Sequence, residues 1–190
     1  MRDIMIVTSN PGKLKEYQQK LTDVTLIPYR ELYPDLEIEE VGSSFRENAY
    51  LKAIAVYRLS HKPCIADDSG LIVEALPHQL GVHSKRFSKE MTDEANMALL
   101  LEQLQNVKNR HAYFHTTICY IEDEKHIQFY QGEVHGHILN EKRGNNGFGY
   151  DPIFEINGLN KTMAECTLEE KNLLSHRSKA IEALAKDLIK

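Results

Sequence analysis

Apolar positions open the chain in short blocks. Ile4, Met5, Ile6 and Val7 form an unbroken apolar run, which predicts a strand over 3–8. Leu14, Tyr17 and Leu21 then recur at spacings of three and four, which predicts a helix over 12–21. The same reading gives a strand over 24–28, a helix over 44–60, a strand over 63–66, a short strand over 71–75, and a helix capped by Thr92 and running through Gln105. Ser44-Phe45-Arg46-Glu47 reads as a capping box at a helix start. Residues 112–122 and 126–138 are rich in β-branched and aromatic residues, with the charged Glu122-Asp123-Glu124-Lys125 between them; this is a long hairpin. Thr167-Leu168-Glu169-Glu170 reads as a second capping box, opening a final helix to about Ile189. Crossover units joined to a hairpin imply an α/β fold with a mixed sheet flanked by helices.

Two of these helices carry a cation inside their apolar stripe. Projected at about 100° per residue, Phe45, Ala49, Val56 and Leu59 share one stripe, with Lys52 in its middle and Asn48 at its edge. Such a lysine either snorkels along an apolar helix or points inward, where an anion must neutralise it. In the last helix Leu173, Leu174, Ile181, Leu184 and Leu188 form the stripe, and Arg177 lies within it. An arginine there needs an acceptor, either a structural Asp or Glu or a ligand oxygen.

Composition narrows the class. A chain of 190 residues reads as one domain spanning 1–190, with room for two lobes, and buries about 70% of its unfolded surface. The net charge of −5 at pH 7 argues against a nucleic-acid polymer as partner, since such proteins usually present a basic face. A small anionic ligand needs only a few local cations. Cys64, Cys119 and Cys166 are far apart and form no C-x-x-C, so reduced thiols in a cytosolic protein are expected. No apolar run approaches a membrane span, and the first is too short for a signal peptide.

The chemistry concentrates in four places. Thr8-Ser9-Asn10-Pro11-Gly12-Lys13 follows the first strand and starts the first helix. That order brings backbone N–H groups and a positive dipole end to one point, and Lys13 adds a full charge. It is also an ordinary turn with Pro near the first helical position. Ala66-Asp67-Asp68-Ser69-Gly70 follows an apolar strand. Alternation sends the two acids to opposite sides, so one of them faces a given site; the plain alternative is an Asx-type turn. Glu39-Glu40 is a second acidic pair, and one carboxylate from each pair would suit Mg²⁺ with its substrate phosphates. Gly144-Asn145-Asn146-Gly147-Phe148-Gly149-Tyr150-Asp151-Pro152 is a glycine-rich loop, suited either to a ligand or to a wide turn with core aromatics. His135-x-His137 shares one strand face and reads as surface histidines. No G-x-S-x-G or H-E-x-x-H occurs.

Taken as a set, these segments resemble the Ham1/inosine triphosphate pyrophosphatase family, in its bacterial XTP/dITP diphosphatase branch. The resemblance rests on Thr8 to Glu16, Glu39 to Ala49 with Lys52-Ala53, Ala66 to Leu71, Gly147 to Phe154, Glu169-Glu170-Lys171 and Ser175-His176-Arg177, in order from residue 4 to the C-terminus. It implies an elongated mixed sheet with two lobes around a central substrate cleft. It implies a cytoplasmic, Mg²⁺-dependent homodimer that hydrolyses ITP, dITP and XTP to the monophosphate and pyrophosphate. By position, Thr8, Ser9, Asn10, Pro11, Gly12, Lys13 and Lys52 would hold the triphosphate. Glu40 and Asp68 would bind Mg²⁺, Asp68 also serving as general base. Ser69, Phe148, Gly149, Tyr150, Asp151, Lys171, His176 and Arg177 would contact the nucleotide. The chain departs from the family pattern at Val41, Lys85, Phe87, Asn145 and Asn146, none of which replaces an acid or Lys13. A pyrophosphatase for another nucleotide, and a nucleotide-binding regulator without turnover, are the alternative readings.

Overall fold

The computed structural model describes residues 2–188. In chain order the elements are β1 (Arg2–Val7), α1 (Pro11–Lys20), β2 (Val24–Pro28), a single-turn α2 (Tyr29–Leu32), α3 (Phe45–Ser60), β3 (Cys64–Val73), α4 (Asp93–Gln103), β4 (His111–Ile121), β5 (Ile127–Ile138), β6 (Phe154–Ile156), α5 (Leu168–Leu174) and α6 (His176–Leu188). The six strands form one sheet in the order β2-β1-β3-β4-β5-β6. β1 runs parallel to β2 and β3, and β5 runs antiparallel to β6, so the sheet is mixed as expected.

The chain divides into two compact units. The first comprises residues 1–68, 116–132 and 177–190; the second comprises 69–115 and 133–176. In the first unit, alternation along β1 and β3 sorts the core into two layers. Ile4, Ile6 and Ile65 pack with Tyr17 and Leu21 of α1 and with Ala180, Ile181 and Leu184 of α6. Met5, Val7, Cys64 and Ala66 pack with Ala49, Ala53, Val56 and Tyr57 of α3. The register Met5↔Cys64, Ile6↔Ile65, Val7↔Ala66 keeps the two sets on their own faces. The second unit has a separate core of Leu71, Val73, Leu100, Phe114, Ile138 and Phe154, among others.

Helix starts follow their sequence signals. Thr92 caps α4 through the Ala95 N–H. Thr167 and Glu170 form a reciprocal capping box on α5. Ser44 caps α3, but the Glu47 carboxylate reaches back to the Ser43 N–H and hydroxyl instead of to Ser44. On α1, Pro11 takes the first position and the Asn10 side chain accepts from the N–H groups of Gly12 and Lys13. Asn10→Ala removes that acceptor and is expected to lower stability by about 1 kcal/mol, read as a shift in urea midpoint at constant slope.

Two expectations are corrected. The separate strands over 63–66 and 71–75 are one strand, β3, which runs without interruption through Asp67-Asp68-Ser69-Gly70. The acids therefore sit inside a paired strand, and the Asx-turn reading fails. The single final helix is two, broken at Ser175, whose extended backbone (ψ 154°) ends α5 before α6 begins. Ile189, its expected end, lies outside the described residues. All three cysteines are buried and free, and among the described residues no helix is long and apolar enough to cross a membrane.

Candidate active site

The alternation that sorts the core also separates the two adjacent acids of β3. Asp67 shares the face of Ile65 and meets α1 and α6. Its Oδ2 accepts from Lys13 Nζ at 2.7 Å and from Arg177 Nε at 3.3 Å, with the Thr116 hydroxyl of β4 at 3.4 Å. Arg177 Nη1 donates to Glu16 Oε2 at 2.8 Å, and Arg177 is only 2% exposed. The partner demanded by the displaced arginine of α6 is thus structural: one carboxylate from α1 and one from β3.

Asp68 shares the face of Ala66 and meets α3. Its Oδ1 lies 3.4 Å from Lys52 Nζ, and its Oδ2 accepts from the Asn48 amide at 3.1 Å. Lys52, 9% exposed, also donates to Glu40 Oε1 at 2.9 Å. The inward-pointing reading of Lys52 holds, with protein carboxylates as its anions. The Asn48 Oδ1 accepts from the Gly42 N–H at 2.8 Å. That bond ties the segment carrying Glu40 to α3.

The two faces differ in their ion pairs. On the α1/α6 face two cations, Lys13 and Arg177, meet two carboxylates, Glu16 and Asp67. On the α3 face Lys52 bridges two carboxylates, Glu40 and Asp68. Ionisation follows these surroundings. Burial opposes charge on Asp67, but Lys13, Arg177 and Lys52 outweigh it and hold that carboxyl well below the usual range. Burial, with the repulsion of Glu40, pushes Asp68 up despite Lys52. Burial would lower the Lys52 ammonium, but Asp68, Glu40 and Asp67 together hold it above its ordinary value. Lys13 is lowered, by burial first and then by Arg177 and Lys52 acting against Asp67.

One expectation about the Thr8–Lys13 turn does not hold. Three of its backbone donors are already engaged: Gly12 N–H and Lys13 N–H donate to Asn10 Oδ1 at 2.8 and 3.2 Å, and Asn10 N–H donates to Thr8 Oγ1 at 3.1 Å. What the turn offers an anion is the helix dipole, with no acid in the first turn of α1, and the Lys13 ammonium. Ser9 and Pro11 are exposed.

Glu40 and Asp68 converge on one ammonium, and among the described residues no group of three or more His, Cys, Asp or Glu side chains could hold a metal. Two converging carboxylates fit Mg²⁺, which takes one or two protein carboxylates and fills its remaining positions with water and phosphate. They do not fit a closed structural zinc site.

The residues expected to contact the nucleotide beyond the phosphates fall in the second unit, apart from Arg177. Asp151 Oδ2 accepts from Lys171 Nζ at 2.8 Å and from the Phe148 N–H at 3.0 Å, and the Lys171 ammonium stands 5.1 Å from the centroid of the Phe148 ring. Gly147 has φ +82°, and a Cβ there would meet Asp151 Oδ2 at 2.1 Å, so only glycine lets the loop close on that carboxylate. Gly149 N–H donates to Asp93 Oδ2. Tyr150 is a core residue whose hydroxyl donates to the Ser84 carbonyl at 2.6 Å. His176 stacks on Phe114 at 5.1 Å, and Ser69 is half-buried within β3. His135 and His137 pair with Glu133 and Glu155 on the strand surface.

Sequence reasoning left Glu16 out. Its signal was present: Lys13 and Glu16 flank Tyr17 on the inward side of α1, the same misplaced-charge signal carried by Lys52 and Arg177.

The model described as the Ham1 family matches residues 4–187. The chain is 42% identical over 185 residues to a protein named dITP/XTP pyrophosphatase from Staphylococcus aureus (strain MW2), covering 97% of this chain and 95% of that one. It is 44% identical over 193 residues to a protein of the same name from Aquifex aeolicus (strain VF5), covering 95% and 94%. Among solved structures it is similar to the Staphylococcus aureus Ham1 protein (TM-score 0.91, 41% identity, 99% of this chain and 98% of that one) and to a HAM1 protein from Coxiella burnetii (TM-score 0.91, 39% identity, 100% and 99%).

Proposed function

Because this chain belongs to the Ham1 family, we propose that it hydrolyses nonstandard purine nucleoside triphosphates, ITP, dITP and XTP, to the monophosphate and pyrophosphate. The observation that supports this chemistry most directly is the arrangement around β3, where a lysine stands on each face of two adjacent acids. Lys13 at the start of α1 would grip phosphate oxygens as a point charge, helped by the helix dipole. Lys52 would face the same chain of phosphates from α3.

The charged network totals three cations and four carboxylates, so it cannot by itself offset a triphosphate. Glu40 and Asp68 would hold Mg²⁺, which when bound supplies charge neutralisation and orientation of the phosphates. Asp68 is raised by burial and by Glu40, which makes it a stronger proton acceptor than an exposed aspartate. Its carboxylate, oriented by the Asn48 amide, would accept a proton from the attacking water. Glu40 would hold Lys52 in place. A cytoplasmic homodimer completes the reading.

Hypoxanthine and xanthine present a 6-oxo acceptor where adenine presents a donor. A buried protein donor at that point would reject adenine by leaving a polar group unpaired. Arg177 Nε and Nη1 serve Asp67 and Glu16, but a guanidinium carries five N–H donors, so Arg177, Lys171 and His176 would supply donors to the base, with Phe148 as a stacking ring.

The deciding measurement is product identity across ITP, dITP, XTP, GTP, ATP and TTP with Mg²⁺. Pyrophosphate from ITP, dITP and XTP, with far slower turnover of ATP, is expected. Orthophosphate as the first product would overturn the reading. Equal rates on ordinary triphosphates would point to the broader pyrophosphatase, and binding without turnover to a regulator.

A further inference from the structure

We infer that Asp67 is a positioning residue: it aims the Lys13 ammonium for phosphate, and Arg177 with Glu16 holds Asp67 in place. The inference rests on the reading of the Thr8–Lys13 turn as the phosphate grip and goes beyond it by giving the second acid of the pair a role of its own.

Adjacent carboxylates invite the view that they act together, but the geometry separates them. Asp68 faces α3, Lys52 and Glu40. Asp67 faces the opposite layer and shares none of the carboxylates that would hold a metal. Its Oδ2 gathers Lys13 at 2.7 Å, Arg177 at 3.3 Å and the Thr116 hydroxyl at 3.4 Å. Three different elements, α1, α6 and β4, thus fix one oxygen. Arg177 is in turn fixed by Glu16 at 2.8 Å, one helical turn along from Lys13 on α1. The result is a closed chain, Lys13 to Asp67 to Arg177 to Glu16 and back to the first helix.

A lysine side chain is flexible, and ordering it on binding carries an entropic cost. Asp67 removes that cost in advance. It does not use up the lysine, because an ammonium has three N–H donors and the bond to Asp67 takes one. The bond also balances the charge of Lys13 beside Arg177.

The competing account makes an opposite prediction. If Asp67 were only a nearby negative charge, removing it would strengthen the binding of any polyphosphate, because a repulsion would be gone. If it positions Lys13, removing it weakens binding despite the more favourable net charge. The sign of the effect therefore decides between them.

The probe is inorganic tripolyphosphate, titrated calorimetrically into the full chain with Mg²⁺, using Asp67→Asn, Lys13→Met and the double variant. Asp67→Asn is expected to weaken binding about 3- to 10-fold, and the same change in the Lys13→Met background is expected to have no weakening effect. Unchanged or tighter binding in Asp67→Asn overturns the inference, as does an equal loss with and without Lys13. Should Asp67→Asn fail to fold, Asp67→Glu keeps the charge and displaces it by one methylene. Weaker tripolyphosphate binding by that variant supports positioning, and full affinity overturns it. If the unaltered chain does not bind tripolyphosphate, the inference falls. Turnover is not needed for any of these titrations. A chain that binds tripolyphosphate as described but releases no pyrophosphate from any nucleotide refutes the proposed function and leaves the positioning role standing.

Discussion

Asp68→Asn is expected to remove pyrophosphate release from ITP, with kcat reduced about 10²- to 10⁴-fold, the range for losing a positioned general base. The amide is nearly isosteric, so Asn48 and Lys52 keep a neighbour of the same shape, and the fold should persist by circular dichroism. The substitution loses the acceptor for the proton of water and one of the two carboxylates suited to Mg²⁺. The expected contrast with Asp67→Asn is the informative part. That variant should chiefly weaken binding, because its residue lies on the other face of β3. Equal effects of the two substitutions on kcat would contradict the division of labour argued from the strand.

Arg177→Met is expected to cost about 3–5 kcal/mol of stability, the penalty for breaking a buried ion pair by removing one partner. Arg177 is almost wholly buried, and its loss takes from Glu16 and Asp67 the guanidinium they share, with Lys13 remaining on Asp67. Urea denaturation should show the loss as a lower midpoint. Its pH dependence has a definite sign. Asp67 is held well below the usual range by Lys13, Arg177 and Lys52 against its burial. A depressed carboxyl contributes stability above its unfolded value, near 3.9, and loses it as pH falls. Removing Arg177 takes away part of that contribution. The gap between variant and parent should therefore be widest near neutrality and narrow below about pH 4, as the stranded acids take up protons. A gap that widens on acidification would rule out uncompensated carboxylates as its cause.

How far the sequence led can be judged residue by residue. The apolar runs and spacings located the main helices and β1 to β5 because burial enforces their periodicity on one face. The hairpin over β4 and β5 and the caps at Ser44, Thr92 and Thr167 were legible from equally local signals. Asp67 to Gly70 misled because Asp, Ser and Gly favour turns in isolation. Here two lysines and an arginine, contributed from far along the chain, let a strand carry both acids through the sheet. The break at Ser175 was invisible because nothing in Leu173 to Arg177 resembles a stop signal. Lys52 and Arg177 were found as charges in apolar places and Lys13 as the charge of a helix-opening turn, but their partners were not. Pairing Glu16 with Arg177 spans 161 positions, which no local pattern reports. The capped turn at Asn10 was misjudged because the residue that caps a helix also occupies the donors an anion would seek.

An uninterrupted β3 has a further consequence for how such a chain can change. Loops accept insertions, and much functional variation enters proteins that way. Residues 64–73 cannot. Adding or deleting one residue just before Asp67 would turn every later side chain of the strand to the opposite layer. Asp67 would then confront Lys52 and Glu40, and Asp68 would confront Lys13 and Arg177. The two acids are thus written in a frame that admits no shift of reading, and length changes that alter the chain's chemistry must fall in other segments.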